Sequence, residues 1–215
     1  MKINFICAVN NEEIFEKNLT QSSIFTPDKF VLQRGYINVS VAYNEAAQNS
    51  AGDLLCFVHQ DVFFPEDWVD YFFRAVEKLE RFDANWGVLG VAGVRLGTER
   101  EWFGNLRHRG RQWGSPRGLP TSVQTLDELL LIRKNNDGLK FDENIPTNHL
   151  YGADICLQAQ SRGQKCYAID AYCHHNSNTR SLPADFHMAA DYIKTKWESC
   201  LPVVTTCAIL TKEEM

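Results

Sequence analysis

Leu54-Leu55-Cys56-Phe57-Val58 is a short, unbroken apolar run that ends at His59-Gln60-Asp61. Apolar residues without alternation over this length predict a strand covered on both faces. Such a strand belongs in an α/β sheet with helices packed above and below it. His59 and Asp61 are two residues apart, so an extended chain points them the same way. An imidazole and a carboxylate converging beyond the carboxyl end of a strand suit a divalent cation. That edge is where open α/β sheets bind ligands. Pro65 fits the first turn of a helix that follows. In that helix Trp68, Phe72, Phe73, Val76 and Leu79 recur at helical spacing, with charged residues opposite.

The rest of the chain alternates between strand and helix patterns. Ile3–Val9 reads as a strand, Glu12–Leu19 as a short helix and Lys29–Gln33 as a second strand. Ser40–Ser50 reads as a helix with Ser40 as N-cap and Gly52 as its stop. Trp86–Val94 reads as a buried strand. Residues 95–119, rich in Gly, Arg and Trp, read as a long loop or an irregular hairpin. Strand character returns over 122–132; 151–162 reads as a helix, 166–173 as a strand, 183–199 as a helix and 203–210 as an edge strand or tail. The β-α-β-α-β order predicts parallel pairing with right-handed crossovers. With no repeats and no low-complexity linker, the expectation is one domain over 1–215, divided into halves at about 1–94 and 95–215.

The composition excludes some classes. The 215 residues are 44% hydrophobic and 23% charged, as in a soluble globular chain. A net charge of -5 argues against a surface devoted to nucleic acid. The seven cysteines form no C-x-x-C pair, which argues against a dedicated zinc site. The apolar N-terminal stretch is short, interrupted by Asn4 and followed at once by polar residues, so it reads as a strand rather than a signal peptide. No segment reaches transmembrane length. The expected setting is a reducing cytoplasm.

An apolar strand, an acidic D-x-D-type motif, then a Pro and a helix with an early Trp resemble the GT-A glycosyltransferases, particularly those like family two. Here His59 stands at the first Asp of the motif and Asp61 at the second. The resemblance implies a GT-A fold: a mostly parallel central sheet flanked by helices. It also implies transfer of a sugar from a nucleoside-diphosphate donor to a hydroxyl of a glycan or other acceptor, with inversion and a Mn or Mg ion. Val9, Asn10, Asn11 and Glu12 then correspond to the corner that contacts the donor nucleotide, although Asn at such a turn also serves as an ordinary helix cap. His59, Gln60 and Asp61 correspond to the motif itself. Phe141-Asp142-Glu143, followed by Tyr151-Gly152-Ala153-Asp154, resembles the family's second signature. Asp154 is therefore the expected catalytic base, with Glu143 and Asp127 in reserve. Of His174 and His175, which point to opposite faces if their strand continues, His174 is taken as the further metal ligand beside Asp61 and His59.

The segment 95–119 carries six arginines with Trp102 and Trp113 between them. It suits a lid or acceptor loop, in which Arg clamps an anion and Trp stacks on a sugar. A solvated loop and single-stranded nucleic-acid binding are the alternatives. For the chain as a whole, the alternatives are a catalytically degenerate sugar-nucleotide or glycan-binding protein and a sugar-nucleotide nucleotidyltransferase. Against the latter, no Gly-rich basic loop follows the first strand. Polysaccharide assembly is the family's usual setting, and a lipid-linked acceptor would require peripheral membrane association.

Overall fold

The computed structural model describes residues 1–177 and 181–212. The first half runs β1 (Ile3–Val9), α1 (Glu12–Lys17), β2 (Phe30–Arg34), α2 (Val39–Gln48), β3 (Leu54–Val58), β4 (Val62–Phe63), α3 (Trp68–Glu80), β5 (Val88–Gly90) and β6 (Ala92–Leu96). The second half runs β7 (Arg100–His108), β8 (Arg111–Gly114), β9 (Thr121–Val123), β10 (Thr125–Leu126), β11 (Leu130–Lys134), α4 (Tyr151–Ser161), β12 (Cys166–Ala168), β13 (Cys173–His175), α5 (Phe186–Lys196), β14 (Val203–Val204) and β15 (Ile209–Leu210). No described helix is long and apolar enough to cross a membrane.

The central sheet has the order β2-β1-β3-β11-β5-β12-β9. The predicted parallel pairing holds for β2-β1-β3 and for β5-β12. Strand β11 enters antiparallel to both β3 and β5, and β9 antiparallel to β12, so the whole sheet is mixed. Each buried strand feeds two cores, because successive side chains leave opposite faces. Phe5, Cys7, Leu54, Cys56 and Val58 join Trp68, Phe72, Val76 and Leu79 of α3 on one side. Ile6, Leu55 and Phe57 join Tyr43 of α2, Ile155 of α4 and Ile193 of α5 on the other. Each fully buried side chain of the α3 stripe contributes about 2 kcal/mol relative to exposure.

A second sheet, β10-β6-β7-β13-β4, stands at the carboxyl ends of the first, with β8 paired to β7. The predicted strand Trp86–Val94 divides into β5 and β6, one in each sheet. The expected strand over 166–173 divides in the same way, into β12 and β13. The segment 95–119 is the irregular hairpin β7–β8 rather than an open loop. Helix α2 is capped by Asn38, whose side chain accepts from the N–H groups of Ser40 and Val41, rather than by Ser40 itself. Asn38 wins because it is the last residue with extended backbone before the helix.

One buried polar knot ties α4 to α5. Asp154 is fully buried and accepts from Trp197 Nε1 at 2.7 Å and Gln158 Nε2 at 2.6 Å. Lys196 Nζ lies 2.7 Å from Asp154 and 2.6 Å from Asp142. Burial alone would raise the Asp142 carboxyl, but Lys196, the Asn144 N–H and the Tyr192 hydroxyl hold it down at about 2. A depressed folded-state pKa gives stability that is complete above the ordinary carboxylate range and lost as the pH falls toward that value. Lys196→Met leaves Asp154 buried without its counter-charge, so urea denaturation should show a loss of about 3 kcal/mol. An unchanged midpoint would show that the knot does not support the fold.

Candidate functional site

The chain turns sharply after β3. Val62 N–H donates to His59 O at 3.2 Å, and His59 N–H donates to Leu129 O at 3.0 Å. The turn hands the chain to β4, which pairs antiparallel with β13 so that His175 stands opposite Val62 and His174 opposite Phe63. Asn176 N–H donates to Asp61 O at 2.9 Å and extends the pairing. Strand β13 also runs parallel to β7, with His175 opposite His108. These pairings gather His59, Asp61 and His175, whose ligand atoms all lie within 4.8 Å of one another. Asp61 Oδ1 is buried and accepts no hydrogen bond; His175 Nε2 lies 3.5 Å away.

The electrostatics suit a cation. Burial lowers the His59 pKa, which keeps its imidazole neutral and able to ligate. Burial works to raise Asp61, but His175 and His59 beside it hold the carboxyl below its usual range. For His175, burial pulls down and the Asp61 carboxylate pulls up, and the carboxylate prevails. A bound divalent ion would displace a proton from His175 and take up the Asp61 oxygen that accepts no hydrogen bond. Two imidazoles and one carboxylate, one of its oxygens buried and unsatisfied, therefore fit a metal.

Each imidazole is held from behind. The Tyr151 hydroxyl lies 2.7 Å from His59 Nε2, which would leave Nδ1 as the nitrogen open to a metal. His108 Nδ1 lies 3.2 Å from His175 Nδ1, while Nε2 of His175 faces Asp61. Such outer partners select the tautomer and orient the ring. Tyr151 opens α4 directly after Leu150, whose φ of 64° is left-handed. For a leucine this conformation costs about 1 kcal/mol, and with no side-chain oxygen Leu150 cannot cap α4 itself. Glu128 substitutes, accepting from Gly152 N–H at 3.1 Å. Burial pushes the Glu128 carboxyl up to about 8, against the backbone N–H groups that hold it down.

Two clefts meet at the cluster. One, of about 310 Å³, is lined by Val9, Asn10, Tyr36, Asn148 and His149 together with His59, Gln60, Asp61 and Tyr151. The other, of about 260 Å³, is lined by Trp102, Trp113, His108, Asp127, Cys207 and His175. His59 and Asp61 thus face the first cleft and His175 the second.

Val9, Asn10, His59, Gln60 and Asp61 all line the first cleft. Gln60 Oε1 accepts from both Asn10 N–H and Asn11 N–H, at 3.1 and 3.0 Å. Asn11 instead caps α1 through Ile14 N–H, and Glu12 pairs with Arg34 at 2.6 Å; neither lines the cleft. His174 packs between Phe63 and Tyr172 on the opposite side of β13, and its neighbour His175 reaches Asp61. Asp154 is fully buried in the knot with Lys196 and lines neither cleft. Glu143 Oε1 accepts from Asn44 Nδ2 at 2.8 Å and ties the loop before α4 to α2. Asp127 lines the second cleft beside His175. His108, Glu128 and the hydroxyl of Tyr151 were not expected in the site. His108 carries no local signal, since only the β7–β13 register brings it to His175.

The model of a family described as "Glycosyltransferase like family" matches residues 4–195. A protein from Fuscovulum blasticum, named "ATP synthase subunits region ORF 6", is 30% identical over 162 residues. That match covers 70% of this chain and 62% of the relative. Among solved structures, a mannosyltransferase from Pyrobaculum calidifontis in complex with GDP-Man and Mn2+ is similar at TM-score 0.55 and 12% identity. It covers 93% of this chain and 64% of its own. Residues 1–349 of S. aureus TarS give TM-score 0.57 at 13% identity, over 91% and 65% of the two chains. GalNAc-T7, with UDP, GalNAc and Mn2+, gives 0.61 at 7% identity, over 92% and 49%. The chain thus spans about half to two thirds of the length of each of these proteins. These structural likenesses show the GT-A fold, and with the family match over most of its length the chain belongs to this glycosyltransferase-like family.

Proposed function

We propose that the protein transfers a sugar from a nucleoside-diphosphate donor to an acceptor hydroxyl, with inversion, and that His59, Asp61 and His175 hold a divalent cation. The observation that carries this reading is the buried oxygen of Asp61 that accepts no hydrogen bond, flanked by two imidazoles where two clefts meet. When bound, the cation supplies positive charge against the negative charge that builds on the departing diphosphate. Two nitrogen ligands favour Mn over Mg, which prefers an all-oxygen shell. The mannosyltransferase and GalNAc-T7 that share this fold were solved with Mn2+.

The chain's own groups do the remaining work. Asn10, Tyr36, Asn148 and His149 line the donor cleft with polar groups suited to a base and ribose. Asp127, facing the second cleft next to His175, takes the acceptor proton as general base. Residues 1–94 supply most of the donor side and 95–215 the acceptor side, within one domain. All seven cysteines are free thiols, which supports a reducing, cytoplasmic setting.

Thermal melting against UDP, GDP, CDP, ADP and dTDP, each with Mn and with EDTA, tests the reading. One diphosphate should raise the melting temperature only with metal; no shift with any of them would leave the reading without support. Asp61→Asn should remove the metal-dependent part of that shift and abolish transfer, and retained turnover would end the metal assignment. Tyr151→Phe should weaken Mn binding about 10–100-fold, measured by calorimetry, because His59 loses the partner that fixes its tautomer. Asp127→Asn should lower kcat about 10²–10⁴-fold while the donor KM changes little, and an unaltered kcat would transfer the base role elsewhere.

A further inference from the structure

The second cleft has walls of a kind that the donor cleft lacks. Trp102 and Trp113 meet edge to face there, with ring centroids 5.6 Å apart. Trp113 is set by a glycine. A Cβ on Gly104 would stand 2.6 Å from Trp113 Cζ3 and 2.5 Å from Val91 O, so only glycine lets the indole lie down on the backbone of β7. One face of Trp102 carries the Arg100 guanidinium at 4.6 Å. Arg100 is itself anchored, donating from Nη1 to Thr205 O at 3.2 Å. Both indoles are therefore braced rather than loose, as a stacking platform needs to be.

The opposite wall comes from the turn between β14 and β15, which brings Thr206 and Cys207 to the cleft. This turn lies beyond residue 195, where the family match ends. It is nevertheless firmly docked. Thr125 Oγ1 donates to Val204 O at 2.6 Å, and Gln124 accepts from Val204 N–H at 2.7 Å and donates to Pro202 O at 3.1 Å. The space left between turn and indoles, about 260 Å³, is the size of a single ring rather than a chain. Its floor carries one carboxylate, Asp127, beside His175.

We infer that this cleft binds one pyranose ring of a glycoside acceptor, with the C–H face of the ring on the tryptophan wall and a hydroxyl edge toward Asp127. The C–H groups of a pyranose are weakly positive and meet the negative face of an indole, while its hydroxyls need the carboxylate. Asp127 Oδ1 already accepts from Leu129 N–H at 3.1 Å, so a purely lipidic acceptor would leave its other oxygen desolvated without a donor, which the polar edge of a sugar avoids. The β14–β15 turn limits the size of the ring's substituents. This assignment rests on the transferase reading for its place in the reaction, and on the cleft alone for its ligand.

The test uses the full chain and a panel of methyl glycosides of glucose, galactose, mannose and N-acetylglucosamine, followed by saturation-transfer NMR and titration. At least one glycoside should bind. Trp113→Ala should weaken it on the order of tenfold, and Cys207→Phe, which fills the cleft from its exposed rim, should abolish binding; both should keep the metal-dependent diphosphate shift. No glycoside bound, or binding unchanged in Cys207→Phe, would overturn the inference. Glycoside binding that depends on Cys207 and Trp113, in a protein that no nucleoside diphosphate stabilises, would uphold the sugar site and reject the transferase.

Discussion

The register of one three-residue strand decides what this site can be. β13 is held from both sides, by β4 and by β7, and a shift of one residue would turn His174 inward and His175 outward. Because β4 begins at the residue after Asp61, the same pairing that fixes the histidine also fixes the carboxylate. A charge with a buried oxygen then needs partners, and the two imidazoles are what the register delivers. The second sheet makes these contacts, and four of its strands, β4, β6, β10 and β13, each follow a strand of the first sheet, β3, β5, β9 and β12.

The two clefts follow from that junction. Strands β1 and β3 end parallel on one side and leave polar turns facing the first cleft. The β7–β8 hairpin, which crosses the ends of the sheet, builds the second from aromatic residues. An element pattern that is α/β in the first half and hairpin-rich in the second gives a polar cleft and an aromatic one, with the histidine–aspartate cluster at their shared boundary.

Much of this was legible in the sequence where local chemistry and burial agree. The run Leu54–Val58 could only be a covered strand, and the stripe from Trp68 to Leu79 could only be a helix packed on one side. His59 and Asp61 were readable because they follow such a strand two residues apart. What was not legible depends on pairing between distant segments. The choice of His175 over His174 needed the β4 register, and His108 needed β7. Asp154 looked available because a carboxylate in the first turn of a helix reads the same whether it faces a cleft or pairs with a lysine 42 residues later. Bends were missed as well: apolar runs such as Trp86–Val94 carry no mark of the residue where one sheet gives way to another.

Gln60 has a consequence of its own. Its side-chain carbonyl takes the N–H groups of both Asn10 and Asn11, and its amide returns to Asn10 Oδ1 at 2.5 Å. The tip of β1 and the turn after β3 are therefore clamped into one rigid floor, though they are about fifty residues apart in the chain. A ligand lying across that floor meets groups already ordered, so little conformational entropy is lost in arranging them. The middle residue of the His-Gln-Asp triplet thereby makes the cleft a template formed during folding rather than at the moment of binding.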